Sequence, residues 1–348
     1  MKRLEYIDAV KAIAIILVII GHSYWIDAIP RLGRVIYSFH MPLFFIISGL
    51  FWKKLDLKSA FSKYSKAYLW PYLIICFFIL FADLFDSFLG DNNVWDVLKN
   101  SILKFFWASN WEKDVLWGHI PRIGAAWFLF ALFWACFGLN ILSRVLTQLE
   151  IPIVVLMAAI VSVTSIKVVE IPFSLQAGML ALLFVYMGSI IKKFNLIHYL
   201  MDISTRLKLL VAIFWLFVAA GVGGVDLGSS NLGFSIVGLI NSFLGFFIII
   251  GLSIKFRLKF NWIGQNTLNI LAAHVLGCEF VSHLGWDSSM LSYSSLVNLM
   301  IEIFINITLA LGLGYLFSRV NIFKYPIMFG SKKCKLNKKY FLRKDCGV

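Results

Sequence analysis

The sequence predicts an all-α integral membrane protein with about ten transmembrane helices and both termini in the cytoplasm. Apolar residues make up 60% of the 348 residues, with 33 Phe and 12 Trp, and the mean hydropathy is +0.85. A water-soluble core cannot bury that much apolar surface. The apolar runs are about twenty residues long, which is the length of a membrane-crossing helix. Basic residues cluster between alternate runs, as the positive-inside rule expects of cytoplasmic loops.

Ten apolar stretches are the candidate spans in a hydropathy window of about nineteen residues. They cover residues 6–26, 36–52, 68–86, 124–142, 152–169, 174–191, 208–225, 232–254, 262–281 and 295–318. With the N terminus inside, most of the 32 Lys and Arg residues lie in cytoplasmic loops, which favours an even number of spans. We therefore divide the chain into a transmembrane domain, residues 1–320, and a basic cytoplasmic tail, residues 321–348.

The net charge of +14 does not indicate a nucleic-acid partner. The cations lie in short loops and in the tail, where the anionic headgroups of the lipid bilayer are the expected neighbours, and no nucleic-acid-binding motif accompanies them. The five cysteines form no CxxC pair and have no metal-ligand spacing, so neither a disulfide framework nor a metal site is expected.

The first candidate span carries two functional groups, Lys11 and His22. Eleven residues at about 100° each return to within about 20° of the start, so both side chains lie on one helix face, about 16 Å apart. Ionisable groups inside a membrane helix are candidates for function. The alternative gives Lys11 an ion pair with Asp8 or a position at the membrane interface, and His22 a hydrogen bond between helices.

His40 and Pro42 lie near the start of the second span, and Pro is tolerated in the first turn of a helix. If this span enters from the outer face, His40 lies near the outer boundary, at a depth similar to that of His22. Two imidazoles at one level are able to orient and activate a hydroxyl. A histidine at the outer interface is also ordinary, so the sequence leaves both interpretations open.

The outer loops carry candidate acceptor-side residues. Arg31 and Arg34 are placed to contact an anionic glycan or its lipid phosphate, or they anchor the adjacent span. The long connection over residues 87–122 is rich in Trp and Phe. Such side chains form either a sugar-stacking platform or an interfacial aromatic belt.

Several motifs together resemble the membrane-bound acyltransferase family 3, and the start of the chain is most similar to the fucose 4-O-acetylase-like subgroup. The matching segments are Tyr6 to Lys11 followed by His22, Ser38 to Gly49, Trp127-Phe128-Leu129, and Ile263 to His274. This resemblance implies a bacterial inner-membrane O-acyltransferase without a bound cofactor, which transfers an acetyl group from acetyl-CoA to a hydroxyl of a cell-surface or lipid-linked sugar.

The resemblance also implies roles for individual residues. His22 and His40 are the candidate catalytic residues, with His22 either a general base for the sugar hydroxyl or a nucleophile that forms an acyl-imidazole. Lys11 is the candidate donor-binding residue. His274, Glu279 and Trp127 are candidate supporting residues, although hydrogen bonding between helices also accounts for His274 and Glu279.

Two other classes of protein remain open from the residues alone. A transporter of a glycan component would use Lys11, His22 and His40 to line a pathway or to relay protons. A sensory or scaffolding membrane protein would catalyse no reaction. The paired inverted halves of many transporters are not visible in the sequence, and the two early motifs favour the enzyme.

Overall fold

The computed structural model describes residues 5–23, 26, 29–89, 93–115, 118–166, 169–229, 235–283, 295–320 and 323. The first part of the described chain forms eight helices. These are α1 (Glu5–Gly21), α2 (Pro30–Tyr37), α3 (His40–Leu50), α4 (Leu57–Tyr64), α5 (Trp70–Leu89), α6 (Val94–Trp107), α7 (Trp127–Val145) and α8 (Glu150–Ser165). A π-helical turn over Ser65–Leu69 joins α4 to α5. The predicted tail lies outside the described residues, apart from Phe323.

The second part forms seven further helices. These are α9 (Leu175–Lys193), α10 (Leu196–Asp202), α11 (Thr205–Val222), α12 (Ser235–Lys255), α13 (Asn261–Gln265), α14 (Thr267–His283) and α15 (Ser295–Val320). A short hairpin of β1 (Lys113–Val115) and β2 (Gly118–Ile120) interrupts the helices between α6 and α7, and it pairs Asp114 with His119. The prediction of an all-α membrane protein is confirmed at this level.

Seven of the described helical segments are long and apolar enough to cross a membrane. They are Pro30–Leu50, Leu57–Phe85, Gly124–Val145, Leu175–Lys193, Thr205–Val222, Ile236–Lys255 and Val297–Val320. Helices α1, α8 and α14 correspond to the other three predicted spans but have only 17, 16 and 17 residues. The chain is therefore a multi-pass membrane protein, and the count of ten spans stays a prediction.

Helix α3 lies at the centre of the bundle, between α1, α9 and α12. It crosses α9 through two glycines whose backbones touch. A Cβ atom on Gly49 would lie 2.1 Å from the Val185 carbonyl oxygen, and one on Gly188 would lie 2.1 Å from the Ile46 carbonyl oxygen. Small residues are what allows two membrane helices to approach this closely.

The second predicted span is not one regular helix, because the chain breaks at Ser38 and Phe39 before α3 begins at His40. Pro42 explains the break. Its ring has no N–H and would clash with the carbonyl of the residue four positions earlier, which is Ser38. The side chain of Ser242 on α12 supplies the missing donor and hydrogen-bonds to the Ser38 carbonyl oxygen at 2.7 Å.

Candidate active site

Three histidines, one directly after α1 and the others on α3 and α14, lie close together, with a tyrosine between two of them. His22 directly follows α1, and its ring centroid lies 5.5 Å from that of His274 on α14. The His22 ring is also 6.5 Å from Tyr37, in the last turn of α2. Tyr37 in turn lies 5.1 Å from His40, the first residue of α3. We call these four residues the histidine cluster.

The members of the histidine cluster differ in accessibility. His22 is exposed and Tyr37 is 38% exposed, whereas His40 and His274 are 1% and 4% exposed. His22 is therefore the imidazole that a reactant would meet first.

The hydrogen bond of His40 fixes the protonation of its ring. Nδ1 of His40 lies 2.8 Å from the carbonyl oxygen of Ile36. A carbonyl oxygen only accepts, so Nδ1 carries the proton in the neutral ring and Nε2 is left with its lone pair. Ile36 lies in α2, before the break, so the hydrogen bond from the His40 ring connects the two sides of the break. Neutral His40 thus presents a proton acceptor at Nε2.

The break that places His40 is held by the hairpin of α11 and α12. A Cβ atom on Gly224 would lie 2.2 Å from Cα of Ser38, so the two backbones are in direct contact. Ser242 adds its hydrogen bond to Ser38. On α12, a Cβ atom on Gly245 would lie 2.5 Å from the Cβ of Phe39. Tertiary contacts, rather than the helix alone, therefore set the position of His40.

Two charged residues outside the motifs act on the His22 ring electrostatically, namely Arg122 and Asp226. Asp226 lies in the chain between α11 and α12, where its carboxylate accepts hydrogen bonds from the N–H groups of Gly228 and Ser229 at 3.0 and 3.3 Å. It also accepts a hydrogen bond from the Ser229 hydroxyl at 2.7 Å. These bonds orient the carboxylate.

Lys11 lies lower on α1 and forms an ion pair with Asp8, in which its Nζ is 3.3 Å from the carboxylate oxygen. The side chain of Asp8 is 4% exposed and that of Lys11 is 23% exposed. Gly264 of α13 packs directly on the Asp8 backbone, where a Cβ atom would lie 1.9 Å from the carbonyl oxygen. The ion pair between Lys11 and Asp8, one of the alternatives considered from the sequence, is therefore present. The Lys11 side chain stays partly accessible.

The remaining predicted residues lie around the histidine cluster or beyond the description. Trp127 is 3% exposed and directly follows a 3-10 turn that packs against α14, and its supporting role stays a prediction. Arg31 and Arg34 are both exposed on α2, and Arg34 lies against Gly223. The Glu279 side chain lies outside the described residues.

A cavity of about 350 Å³ lies between α6 and the β1–β2 hairpin. Its lining residues are Asn100, Lys104, Trp111, Glu112, His119, Pro121 and Arg122. We call it the hairpin cavity. One of its lining residues, Arg122, also acts electrostatically on the His22 ring.

His119 joins two carboxylates at the rim of the hairpin cavity. Its Nδ1 lies 2.9 Å from Asp114 and its Nε2 lies 3.1 Å from Glu112. The hydrogen bond to Asp114, helped by the charges of Glu112 and Asp114, raises the pKa of His119 above its usual value of 6.5. The His119 ring thus links the two sides of the hairpin.

Sequence reasoning missed Tyr37 and Asp226, and it named Arg122 only as part of a long loop. Tyr37 stands directly before the recognised segment from Ser38 to Gly49, so its position was the available signal. The sequence signal for Asp226 was weaker and consisted of the Gly223-Gly224 pair just before it. Among the described residues, no three His, Cys, Asp or Glu side chains are arranged to hold a metal ion.

A histidine cluster inside a bundle of apolar helices defines a membrane-embedded protein with groups suited to proton transfer or acyl transfer. The chain matches the family described as an acyltransferase domain, family 3, over residues 4–319. It therefore belongs to acyltransferase family 3 and is a membrane acyltransferase. The resemblance seen in the motifs is confirmed for the family, and the subgroup stays a prediction. No match was found among curated proteins or among solved structures.

Proposed function

We propose that this protein transfers an acyl group, in the first instance acetyl, from acyl-CoA to a hydroxyl of a cell-surface or lipid-linked sugar. The observation that carries the proposal is the histidine cluster, in which accessible His22 lies 5.5 Å from His274. Family membership supports the acyltransferase reaction. It gives no support to the transporter, and neither the acyl-CoA donor nor the sugar acceptor follows from it.

In the general-base mechanism, an imidazole accepts the proton of the sugar hydroxyl while the hydroxyl oxygen attacks the thioester carbonyl. The C–S bond breaks, and the CoA thiolate takes the proton back from the imidazolium. In the nucleophilic mechanism, the imidazole first forms an acyl-imidazole and releases CoA, and the hydroxyl then takes the acyl group. His22 is the candidate in both mechanisms because it is the accessible histidine. His40 is a second candidate base through Nε2.

Lys11 is the proposed donor-binding residue. Its ion pair with Asp8 holds the ammonium on α1, the helix that His22 directly follows, and a partly accessible cation is suited to the phosphates of CoA. The proposed topology has ten spans with both termini in the cytoplasm of a bacterial inner membrane. Lys11 then faces the cytoplasmic supply of acyl-CoA, and His22, Arg31 and Arg34 lie toward the acceptor.

The direct test measures transfer of radiolabelled acetyl from acetyl-CoA to a lipid-linked glycan extract by the purified protein in nanodiscs. His22→Ala is expected to abolish transfer, and His40→Ala to lower it by about 10² to 10⁴, the usual contribution of a general base. The matched control is His198→Ala, because His198 is exposed on α10 and is not part of the histidine cluster. Transfer that survives His22→Ala would refute the assigned role.

A second measurement separates the two mechanisms and tests Lys11. Protein incubated with labelled acetyl-CoA alone retains a hydroxylamine-sensitive label only if an acyl-imidazole forms. Lys11→Ala is expected to raise the KM for acetyl-CoA while leaving kcat nearly unchanged, since it removes a binding charge and no reacting group. A fall in kcat at constant KM would contradict a donor-binding role.

A further inference from the structure

The side chain of Tyr37 connects the end of α2 to the end of α1. Its hydroxyl donates a hydrogen bond to the carbonyl oxygen of Gly21, the last residue of α1. The last carbonyls of a helix have no donor within that helix, so the phenol supplies a donor from outside. A side chain at position 21 would meet the phenol, since a Cβ atom there would lie 3.5 Å from Cζ of Tyr37. The Tyr37 ring therefore packs directly on the residue before His22.

The backbone that carries Tyr37 is fixed at the break between α2 and α3. The carbonyl oxygen of Val35 accepts a hydrogen bond from the Ser38 hydroxyl at 2.7 Å. The carbonyl oxygen of Ile36 accepts one from the His40 ring at 2.8 Å. Both carbonyls directly before Tyr37 are therefore held, and the phenol extends from a fixed backbone.

The ring of Tyr37 also lies between two imidazoles. Its centroid is 6.5 Å from that of His22, with an angle of 86° between the ring planes. It is 5.1 Å from that of His40, with an angle of 74°. Both pairs have the edge-to-face geometry that aromatic rings prefer at about 4.5 to 7 Å. One side chain thus contacts the ring of His22, the ring of His40 and the backbone that precedes His22.

The position of His22 depends on a contact of this kind. His22 comes directly after α1, where helix ends fray, and Gly21 before it has no side chain to restrict the backbone. The N–H of His22 still reaches the Val18 carbonyl oxygen at 3.1 Å, but this bond fixes the backbone and not the imidazole. A misplacement of about 1 Å at a catalytic group costs about a hundredfold in rate, so a residue that holds the ring contributes to catalysis.

We propose that Tyr37 is a positioning residue for acyl transfer, which holds the rings of His22 and His40 in a fixed relation to each other. This proposal rests on the proposed function, because it takes both histidines to be catalytic. The Tyr37 hydroxyl is donated to the Gly21 carbonyl, so it takes no part in the chemical step. Loss of the hydroxyl therefore changes the rate and the position of the His22 ring, and leaves the binding of acetyl-CoA as it is.

Two variants separate the parts of the Tyr37 contact in the acetyl-transfer assay. Tyr37→Phe keeps the ring and removes the hydrogen bond, and it is expected to lower kcat about tenfold. Tyr37→Leu removes both and is expected to lower kcat about a hundredfold. Neither variant should change the KM for acetyl-CoA. The control is Tyr199→Phe, which should leave kcat unchanged, because Tyr199 is 65% exposed on α10 and has the His198 ring as a neighbour.

The position of the histidine rings is measured without any reaction, by NMR on ¹⁵N-histidine-labelled protein in nanodiscs. Tyr37→Phe keeps an aromatic ring and its ring current, so a shift of the imidazole signals in this variant reports a change of position. The signals of His22 and His40 are expected to shift, and those of His119 and His198 to stay in place. Unchanged signals of His22 and His40 would overturn the proposal even if kcat falls, because Tyr37 would then act directly on the reactants.

The two measurements separate the failure of this inference from the failure of the proposed function. In a protein that transfers acetyl, an unchanged kcat in Tyr37→Leu, or a rise in the KM for acetyl-CoA alone, would refute the positioning role and keep the function. Displaced His22 signals in Tyr37→Phe, in a protein that transfers no acyl group from any acyl-CoA, would support the positioning contact and refute the function.

Discussion

Replacing Gly224 with Ala should damage the active site through backbone displacement alone. The new Cβ would lie 2.2 Å from Cα of Ser38 and 2.5 Å from its carbonyl oxygen. Nonbonded carbons prefer about 3.5 to 4.0 Å, so the two segments have to separate by about 1.3 Å before they reach even the lower limit. Both neighbours are backbone atoms, which no side-chain rotation moves aside. Ser38 stands two residues before His40, so the displacement passes to that ring.

A misplacement of about 1 Å at a catalytic group costs about a hundredfold in rate. Gly224→Ala is therefore expected to lower kcat for acetyl transfer about a hundredfold while the purified protein still elutes as a single folded species. Gly221→Ala is the matched control, since a Cβ atom there meets nothing within 4 Å. Ser242→Ala removes only one hydrogen bond to Ser38 and should give a smaller loss. Equal rates for Gly224→Ala and Gly221→Ala would refute the reasoning.

Two further predictions concern other parts of the molecule. Gly188→Ala forces a Cβ to within 2.1 Å of a backbone oxygen, so it should lower the free energy of unfolding by about 1–3 kcal/mol and reduce the Tm in nanodiscs. In the matched variant Gly138→Ala the new Cβ meets nothing within 4 Å, so the free energy of unfolding and the Tm should stay unchanged. His119 should titrate above pH 6.5 by NMR, and Asp114→Asn should lower its midpoint. Because the folded pKa is raised, the His119 contribution to hairpin stability is present at acidic pH and is lost as the pH rises through that pKa. An unchanged Tm for Gly188→Ala, or a midpoint at or below 6.5, would contradict these expectations.

The fold class could be predicted from the sequence because hydropathy and charge asymmetry are local properties. Helices α7, α9 and α15 begin within a few residues of the predicted spans, since each is a nearly uninterrupted apolar run. The break at Ser38 and Phe39 could not be predicted in detail. Pro42 indicated a helix start, but the donor that compensates for it, Ser242, is 204 residues away in sequence.

The candidate site was partly predictable for a similar reason. His22 and His40 were conspicuous because titratable groups are rare in apolar helices. Their relation to His274 depends on how α1, α3 and α14 pack, which helical periodicity within one segment does not determine. Arg122 and Asp226 lie in irregular connections without a motif, so only the tertiary structure brings their charges close to His22.

The contact between Ser242 and Ser38 has a consequence for the order of biosynthesis. The early helices leave the ribosome long before α12, and until α12 arrives the Ser38 carbonyl lacks the donor that it has in the folded protein. The start of α3, and with it the imidazole of His40, is therefore completed only when most of the chain has entered the membrane. A nascent chain that already carries Lys11 and His22 would thus still lack part of the candidate active site until synthesis of the protein is nearly finished.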